Sequence, residues 1–278
     1  ASDASASPTS SAEGEAYFDE REFETRADRE DRHFWARHRR EILRRELDAF
    51  LPARGVPLIE LGCGVGSMAT YLNQHGFRVD YSDFFPRALE HARARAARAL
   101  GPGAEARSFV AADLTKPLPP LEQRGALLLD VIEHLPDDVE VLRNVRAALP
   151  DAPDAFVMVT VPAFEFLWSP WDDIEKHKRR YTAGSLARAL EAAGFAAQRL
   201  TFFFAPLFFA ALGVKALRAA RDRVLGPPPP PDISNLAEFR ELGRMNDVVR
   251  GVLALETPFV TRRSVPVGTS LLAIARRA

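Results

Sequence analysis

Cysteine is almost missing from this 278-residue chain, with Cys63 the only one. That excludes a disulfide framework and any zinc site built from several thiolates, and it fits a reducing, cytoplasmic setting. Lysine is scarce as well, with Lys116, Lys176, Lys178 and Lys215 the only four among 37 basic residues. Against 38 acidic residues they leave a formal net charge of −1, which argues against a general nucleic-acid binder. The longest apolar run, FFFAPLFFAALGV at residues 202–214, falls short of the ~18 residues that suggest a membrane span. The opening ASDASASPTSSAEGE lacks a basic segment followed by an apolar stretch, so residues 1–16 read as a disordered tail. What is present is 47% apolar and 27% charged residues, enough for one sizeable core.

Residues 17–52 are charge-dense but periodic. Leu43, Leu47, Phe50 and Leu51 fall at helical spacing, and Glu22/Arg26 and Glu41/Arg45 lie four apart, which predicts N-terminal helices. Short apolar runs then alternate with amphipathic segments. VPLIELG (56–62), FRVDYSD (77–83), ARSFVAAD (106–113), ALLLDVI (126–132) and AFVMVTV (155–161) read as five strands. Between them lie a segment stopped by Gly76, a helix opened by Pro86 and ended by Gly101, and a helix started by Asp137 with Glu140 three residues on. Such alternation means βαβ units and a parallel sheet covered on both faces. A sixth strand is expected near 200–204 and a seventh in SLLAIA (270–275), leaving residues 205–265 as a helical insertion that includes the proline run 227–231. That is long for a connection inside a sheet, and makes it a candidate lid or docking surface. The expected fold is α/β, a doubly wound Rossmann-like sheet of about seven strands with N-terminal helices and a helical insertion before the last strand.

The first strand ends in ELGCGVGS, which puts Gly62, Gly64 and Gly66 in the turn before a helix. Glycines there let backbone N–H groups approach a ligand, and the helix N-terminus favours its negative group. Glu60 precedes the turn, and Asp83 ends the second strand where a carboxylate can accept both ribose hydroxyls. A nucleoside-containing cofactor follows, although Asp83 could instead cap the helix behind Pro86. A dinucleotide fingerprint would need its third glycine one residue later, so a nicotinamide-dependent oxidoreductase is the weakest reading.

Glu60-Leu-Gly-Cys-Gly-Val-Gly resembles motif I of the class I S-adenosylmethionine-dependent methyltransferases. The resemblance continues through VDYSDFFPRALEHAR (79–93), AAD (111–113) and LLLDVIEHLPDD (127–138), and covers residues 56–194 plus the terminal strand. HFWARHRREIL, LWSPWDDIEKHKRRYT and VPVGTSLLAIARR are similar to a bacterial branch of the type 11/23 methyltransferases, from which the chain departs at Ala36, where many relatives carry an aromatic. The resemblance implies S-adenosylmethionine as cofactor, bound by residues 53–204 with 266–278. Glu60, Gly62, Gly64 and Gly66 would surround its methionine part, Asp83 its ribose, Asp113 and Ala112 its adenine edge and Asp130 its ammonium, with Cys63 and Phe84 among the contacts.

His134 follows the fourth strand and would lie at the carboxyl edge of the sheet, as a base or as a loop hydrogen-bond partner. His177 sits in a run where tryptophans interleave with charges, a pattern that suits a loop folded over a pocket. His134 and His177 are therefore the candidate bases. Trp35, Arg39, Trp168, Trp171, Asp172, Arg179, Arg180 and Tyr181 are the candidate acceptor contacts. Asp172, Asp173 and His177 make too thin a ligand set, and no metal is expected. The aromatics from Phe202 to Phe209 read as core; alternatively, with Leu212, Leu217, Arg218, Arg221 and Arg223, segment 202–225 could lie on a membrane surface or on a partner. The expected activity is transfer of a methyl group to oxygen on a small-molecule, natural-product or glycan- or lipid-linked acceptor. An N-methyltransferase and a non-catalytic cofactor-binding subunit are the alternatives.

Overall fold

In the structure, a computed structural model that describes residues 32–226 and 244–278, the most continuously apolar runs become the middle of one sheet. β1 (Pro57–Leu61) and its neighbours to either side are buried almost end to end, as strands covered on both faces must be. β2 (Arg78–Asp83) and β3 (Phe109–Ala111) extend the sheet to one side; β4 (Gly125–Leu129), β5 (Phe156–Pro162), β6 (Phe195–Phe203) and β7 (Ser270–Arg277) form the other. The strand order is β3-β2-β1-β4-β5-β7-β6. β1 to β5 pair in parallel, and β7 runs antiparallel between β5 and β6. The chain direction along the sheet reverses between β1 and β4, where open α/β sheets leave a crevice at their carboxyl ends.

Three strands differ most from their expected limits. β4 ends at Leu129 rather than at residue 132, because Asp130 turns the backbone to a φ of +59°. β3 covers three residues rather than 106–113, because it is an edge strand: Val110 is exposed, and the N–H of Ser108 is taken by the Asp80 side chain at 2.9 Å. β6 starts at Phe195, five residues earlier than read, since its first half is solvated on one side and carries no apolar run. The tail 1–16, the first half of the 17–52 segment and the proline run 227–231 lie outside the described residues.

Helices cover both faces. α1 (Phe34–Phe50), α2 (Ser67–Gln74) and α3 (Pro86–Leu100) pack one side, with Ile42, Leu43, Leu47, Leu72 and Ala92 fully buried. α4 (Asp138–Ala148) and α6 (Ala183–Ala192) pack the other through Leu142, Val145, Leu186 and Leu190; between them runs the short α5 (Pro170–Ile174). Asp137 caps α4 by accepting the N–H of Glu140 at 2.9 Å. The insertion holds α7 (Ala205–Leu225), α8 (Arg244–Ala254) and α9 (Thr257–Val260). Of the 21 residues of α7 only Phe208 is buried. Its start is nevertheless fixed, since the Glu256 carboxylate accepts the N–H groups of Phe204 (2.8 Å) and Ala205 (2.7 Å) and lies 2.8 Å from His38 Nε2 of α1.

Candidate active site

The carboxyl ends of β1, β2, β4 and β5 open into a cavity of about 840 Å3. Glu60 ends in the helix behind the turn rather than in open space: its carboxylate accepts the N–H of Ala69 at 2.7 Å and ties β1 to α2. The N–H groups of Gly62 and Cys63 both bond to the Ser82 carbonyl, at 2.8 and 2.9 Å, which locks the turn against β2. Gly64 and Gly66 take φ of +53° and +73°, a region that residues with a Cβ enter at a cost. A Cβ on Gly66 would lie 2.8 Å from that of Ala92, so this glycine lets α2 approach α3. A Cβ on Gly64 would meet nothing within 4 Å; it would project beside the cavity that Gly64 lines, in space kept for a ligand.

Asp83 completes the cradle. Its carboxylate accepts the N–H of Gly64 at 2.7 Å and of Phe85 at 3.0 Å while bordering the cavity, and burial pushes its carboxyl up. It therefore shapes both the glycine turn and the approach to α3. Burial likewise pushes the Cys63 thiol well up, so Cys63 serves as a small apolar wall. Asp113, with Ala112 on the opposite rim, is held below its ordinary range: burial opposes this, and hydrogen bonds from Thr115 and Lys116 outweigh it. A turn with one open glycine, a buried carboxylate at the next strand end and a second acid on the rim is a donor and acceptor set that fits an adenosyl group.

Asp130 ends β4 with φ of +59°, a conformation uncommon outside glycine that aspartate tolerates. Three contacts maintain it. Its N–H donates to the Thr160 carbonyl at 3.0 Å, one oxygen accepts the Thr160 hydroxyl at 3.0 Å, and the other pairs with Arg39 Nη2 at 2.7 Å. Arg39 reaches in from α1, its guanidinium 5.3 Å from the centre of the Trp35 ring, which in turn stacks on Phe204.

Beyond Asp130, Glu133 is fully buried, and among the described residues neither of its carboxylate oxygens has a hydrogen-bond partner. Burial, then the negative charge of Asp130, pushes its carboxyl well above the usual range. The adjacent His134 ring lies 4.8 Å, centre to centre and edge-on, from His177. His177 Nδ1 is 2.8 Å from Asp172. Asp172 is itself fully buried and accepts Arg180 Nε and Nη2 at 2.7 and 2.8 Å, with the N–H and hydroxyl of Ser169. Burial alone would raise its carboxyl; the hydrogen bonds from His177 and Arg180 outweigh that and hold it well below the usual range. The N–H of Lys178 donates to the Glu133 carbonyl at 2.8 Å, stitching the two histidine-bearing loops together.

The structure thus brings Trp35, Arg39, Trp171, Arg180, His134, His177 and Phe84 to the same cavity as the glycine turn. Four of the expected acceptor contacts do not line the cavity. Trp168 turns its indole N–H to Asp173 at 3.1 Å, and Arg179 pairs with Asp138 at 3.1 Å on the far side of the loop. Tyr181 is buried with its hydroxyl 2.6 Å from Asp138, and burial and that bond push its pKa far up. Asp172 stands behind His177 without facing the cavity. Gly66 packs behind the turn rather than against the cavity. Sequence reading missed Glu133 and Thr160. It also missed the cavity wall that α7 supplies through Ala211, Val214, Lys215 and Arg218, whose helical spacing of three and four is the signal that could have shown one face.

The type 23 family described as a methyltransferase domain matches residues 35–200. No curated protein matches the chain significantly. Among solved structures, the chain is similar to one in the Haloferax volcanii complex between a methyltransferase activator and a methyltransferase (15% identity, TM-score 0.56, 93% of this chain and 96% of that one). It is also similar to the cyclase SpnF (18%, 0.52, 87% and 81%) and to magnesium protoporphyrin IX methyltransferase of Synechocystis (15%, 0.50, 84% and 78%), the latter crystallised with S-adenosylhomocysteine. At these identities the likeness shows the fold alone.

Proposed function

Since the chain belongs to the methyltransferase-domain family, whose members take S-adenosylmethionine as methyl donor, we propose that it methylates an oxygen of a small-molecule, natural-product or glycan- or lipid-linked acceptor in the cytoplasm. The observation that carries this reading is the size and mixed lining of the cavity. Its volume of about 840 Å3 lies in the upper range of small-molecule sites, ~300–1,000 Å3, and leaves room for an acceptor beside the cofactor. The glycine cradle with Asp83 lines it together with Trp35, Trp171, Leu167 and the α7 residues Ala211 and Val214, apolar surface suited to a carbon-rich acceptor. With membership of this family the nicotinamide alternative lapses.

Bound S-adenosylmethionine supplies an electrophilic methyl group whose transfer to the acceptor oxygen returns the carbon–sulfur electron pair to sulfur, so the leaving group needs no proton. The protein's share is alignment and exclusion of water. Asp83 would hold the ribose hydroxyls, Asp113 and Ala112 the adenine edge, and the Arg39–Asp130 pair the carboxylate and ammonium of the methionine part. The acceptor hydroxyl must lose its proton, and the Glu133–His134–His177 group is where the cavity can take it up. His177 is oriented for this through Nδ1 by Asp172, which leaves Nε2 for the acceptor side. Incubating the protein with methyl-labelled cofactor and cell extract should yield a small or lipid-soluble product heavier by one methyl, abolished by Asp83→Ala. Label confined to nucleic acid or protein would refute the acceptor class.

A lipid-linked acceptor is favoured by one further observation. α7 exposes Phe209, Leu217, Val224 and Leu225 on the same helix as Arg218, Arg221 and Arg223, a composition suited to lying on an anionic surface. Among the described residues no helix is long and apolar enough to cross a membrane. Peripheral contact through 202–225 predicts co-sedimentation with phosphatidylglycerol vesicles and none with phosphatidylcholine; equal behaviour with both would remove it.

A further inference from the structure

We propose that Glu133, His134 and His177 bind a divalent transition-metal cation at the acceptor end of the cavity. Their ligand atoms all lie within 4.8 Å of one another, and all three residues line the cavity. Two ligand atoms each ~2.1 Å from one metal lie ~3.4 Å apart at the tetrahedral angle, so side-chain rotation must close the widest pair by up to roughly 1.4 Å.

Proximity is not the only pointer. A fully buried carboxylate with both oxygens unpartnered is a costly arrangement that a cation would relieve, and Glu133 is in that state among the described residues. His177 supplies a separate one. Its Nδ1 is engaged by Asp172, which leaves Nε2 as the ligand atom in the carboxylate–imidazole–metal arrangement typical of protein metal sites. Asp172 is clamped by Arg180 and Ser169, and the Lys178 N–H on the Glu133 carbonyl fixes one ligand-bearing loop against the other, so the set is built in advance.

The donor set names the class of ion. Two imidazoles and one carboxylate suit zinc, manganese, iron or cobalt, whereas magnesium and calcium prefer all-oxygen shells. Three protein ligands leave coordination positions open toward the cavity, as in catalytic rather than structural sites. An acceptor hydroxyl taking an open position would release its proton to solvent at lower pH than a free hydroxyl. In that state the two imidazoles are ligands, and Asp172 is a positioning residue. This role rests on the methyl-transfer reading; the site itself does not.

The test uses the full chain, stripped with chelator and titrated with Co2+ and Zn2+ by calorimetry, with metal content read by mass spectrometry. One equivalent per chain and a visible Co2+ absorption band are expected. Glu133→Gln and His177→Ala should each weaken binding at least about tenfold, and Asp172→Asn about 10–100-fold with an altered Co2+ spectrum. S-adenosylhomocysteine affinity, measured on the same samples, reports that each variant is folded. Wild-type protein that takes up no stoichiometric metal overturns the proposal whatever the variants do, as do folded variants that bind it undiminished. Metal binding without methylation of any extract component would overturn the methyl-transfer reading alone, and undiminished methylation by protein stripped of metal would overturn the cation's role in releasing the acceptor proton while leaving the site to the binding measurement.

Discussion

Gly64 and Gly66 sit two residues apart in the same turn, both at positive φ, yet a single methyl group should affect them in opposite ways. At Gly64 the added Cβ has open space around it, so Gly64→Ala carries mainly the backbone cost of a left-handed alanine, about 1–2 kcal/mol. In a domain of this size that corresponds to a Tm lower by about 2–8 °C. The methyl projects beside the cavity, however, and should weaken S-adenosylhomocysteine binding at least about tenfold, or ~1.4 kcal/mol. At Gly66 the same backbone cost is joined by overlap with Ala92 Cβ at 2.8 Å, and overpacking of this kind adds about 1–3 kcal/mol. Gly66→Ala should therefore lose about 2–5 kcal/mol of stability. Thermal melts and calorimetric titration of both variants decide the matter. Wild-type affinity in Gly64→Ala, or a Gly66→Ala protein that melts no lower than Gly64→Ala, would refute the division of roles between them.

Asp83 accepts two ribose hydroxyls best when ionised, and burial has raised its pKa. Cofactor affinity should therefore fall as the pH is lowered from neutrality, and Asp83→Asn should bind weakly with a flat profile over the same titration. Arg199→Met would strand Glu46 of α1, buried and paired with it at 3.0 and 3.2 Å; a loss of about 3–5 kcal/mol is expected in urea unfolding. Tyr181→Phe removes the 2.6 Å bond to Asp138, which should lower stability by about 1–2 kcal/mol and leave cofactor affinity and methyl transfer unchanged, since Tyr181 lies away from the cavity.

Legibility in the sequence followed locality. β1, β4 and β5 are apolar apart from Glu60 and Thr160 because both faces are covered, and ALLLDVI and AFVMVTV announce themselves. β6 escaped for the opposite reason, its first half being wet on one side. The glycine cradle was readable because its parts lie within one βαβ unit, from Glu60 to Asp83. The acceptor side was only half readable. His134 and His177 could be named one by one, but Glu133 looks like any charge in a turn until the fold buries it beside both. Nothing local couples Arg39 to Asp130, since that pair exists only once α1 lies across the strand ends. Trp168, Arg179 and Tyr181 turn to Asp173 and Asp138 instead of lining the cavity, because a loop rich in aromatics and charges has two sides, and composition does not say which of them faces inward.

Glu256 grips the first turn of α7 and His38 of α1 together, while the later turns of α7 are mostly exposed. Between the two the helix sends Ala211 to Arg218 into the chamber, and Lys215 within that stretch ties it to the Trp168 carbonyl at 3.2 Å. Substitutions along that stretch reshape one wall of the chamber and leave the strand tips that line the rest of it untouched. The two parts of the lining can therefore vary independently in sequence.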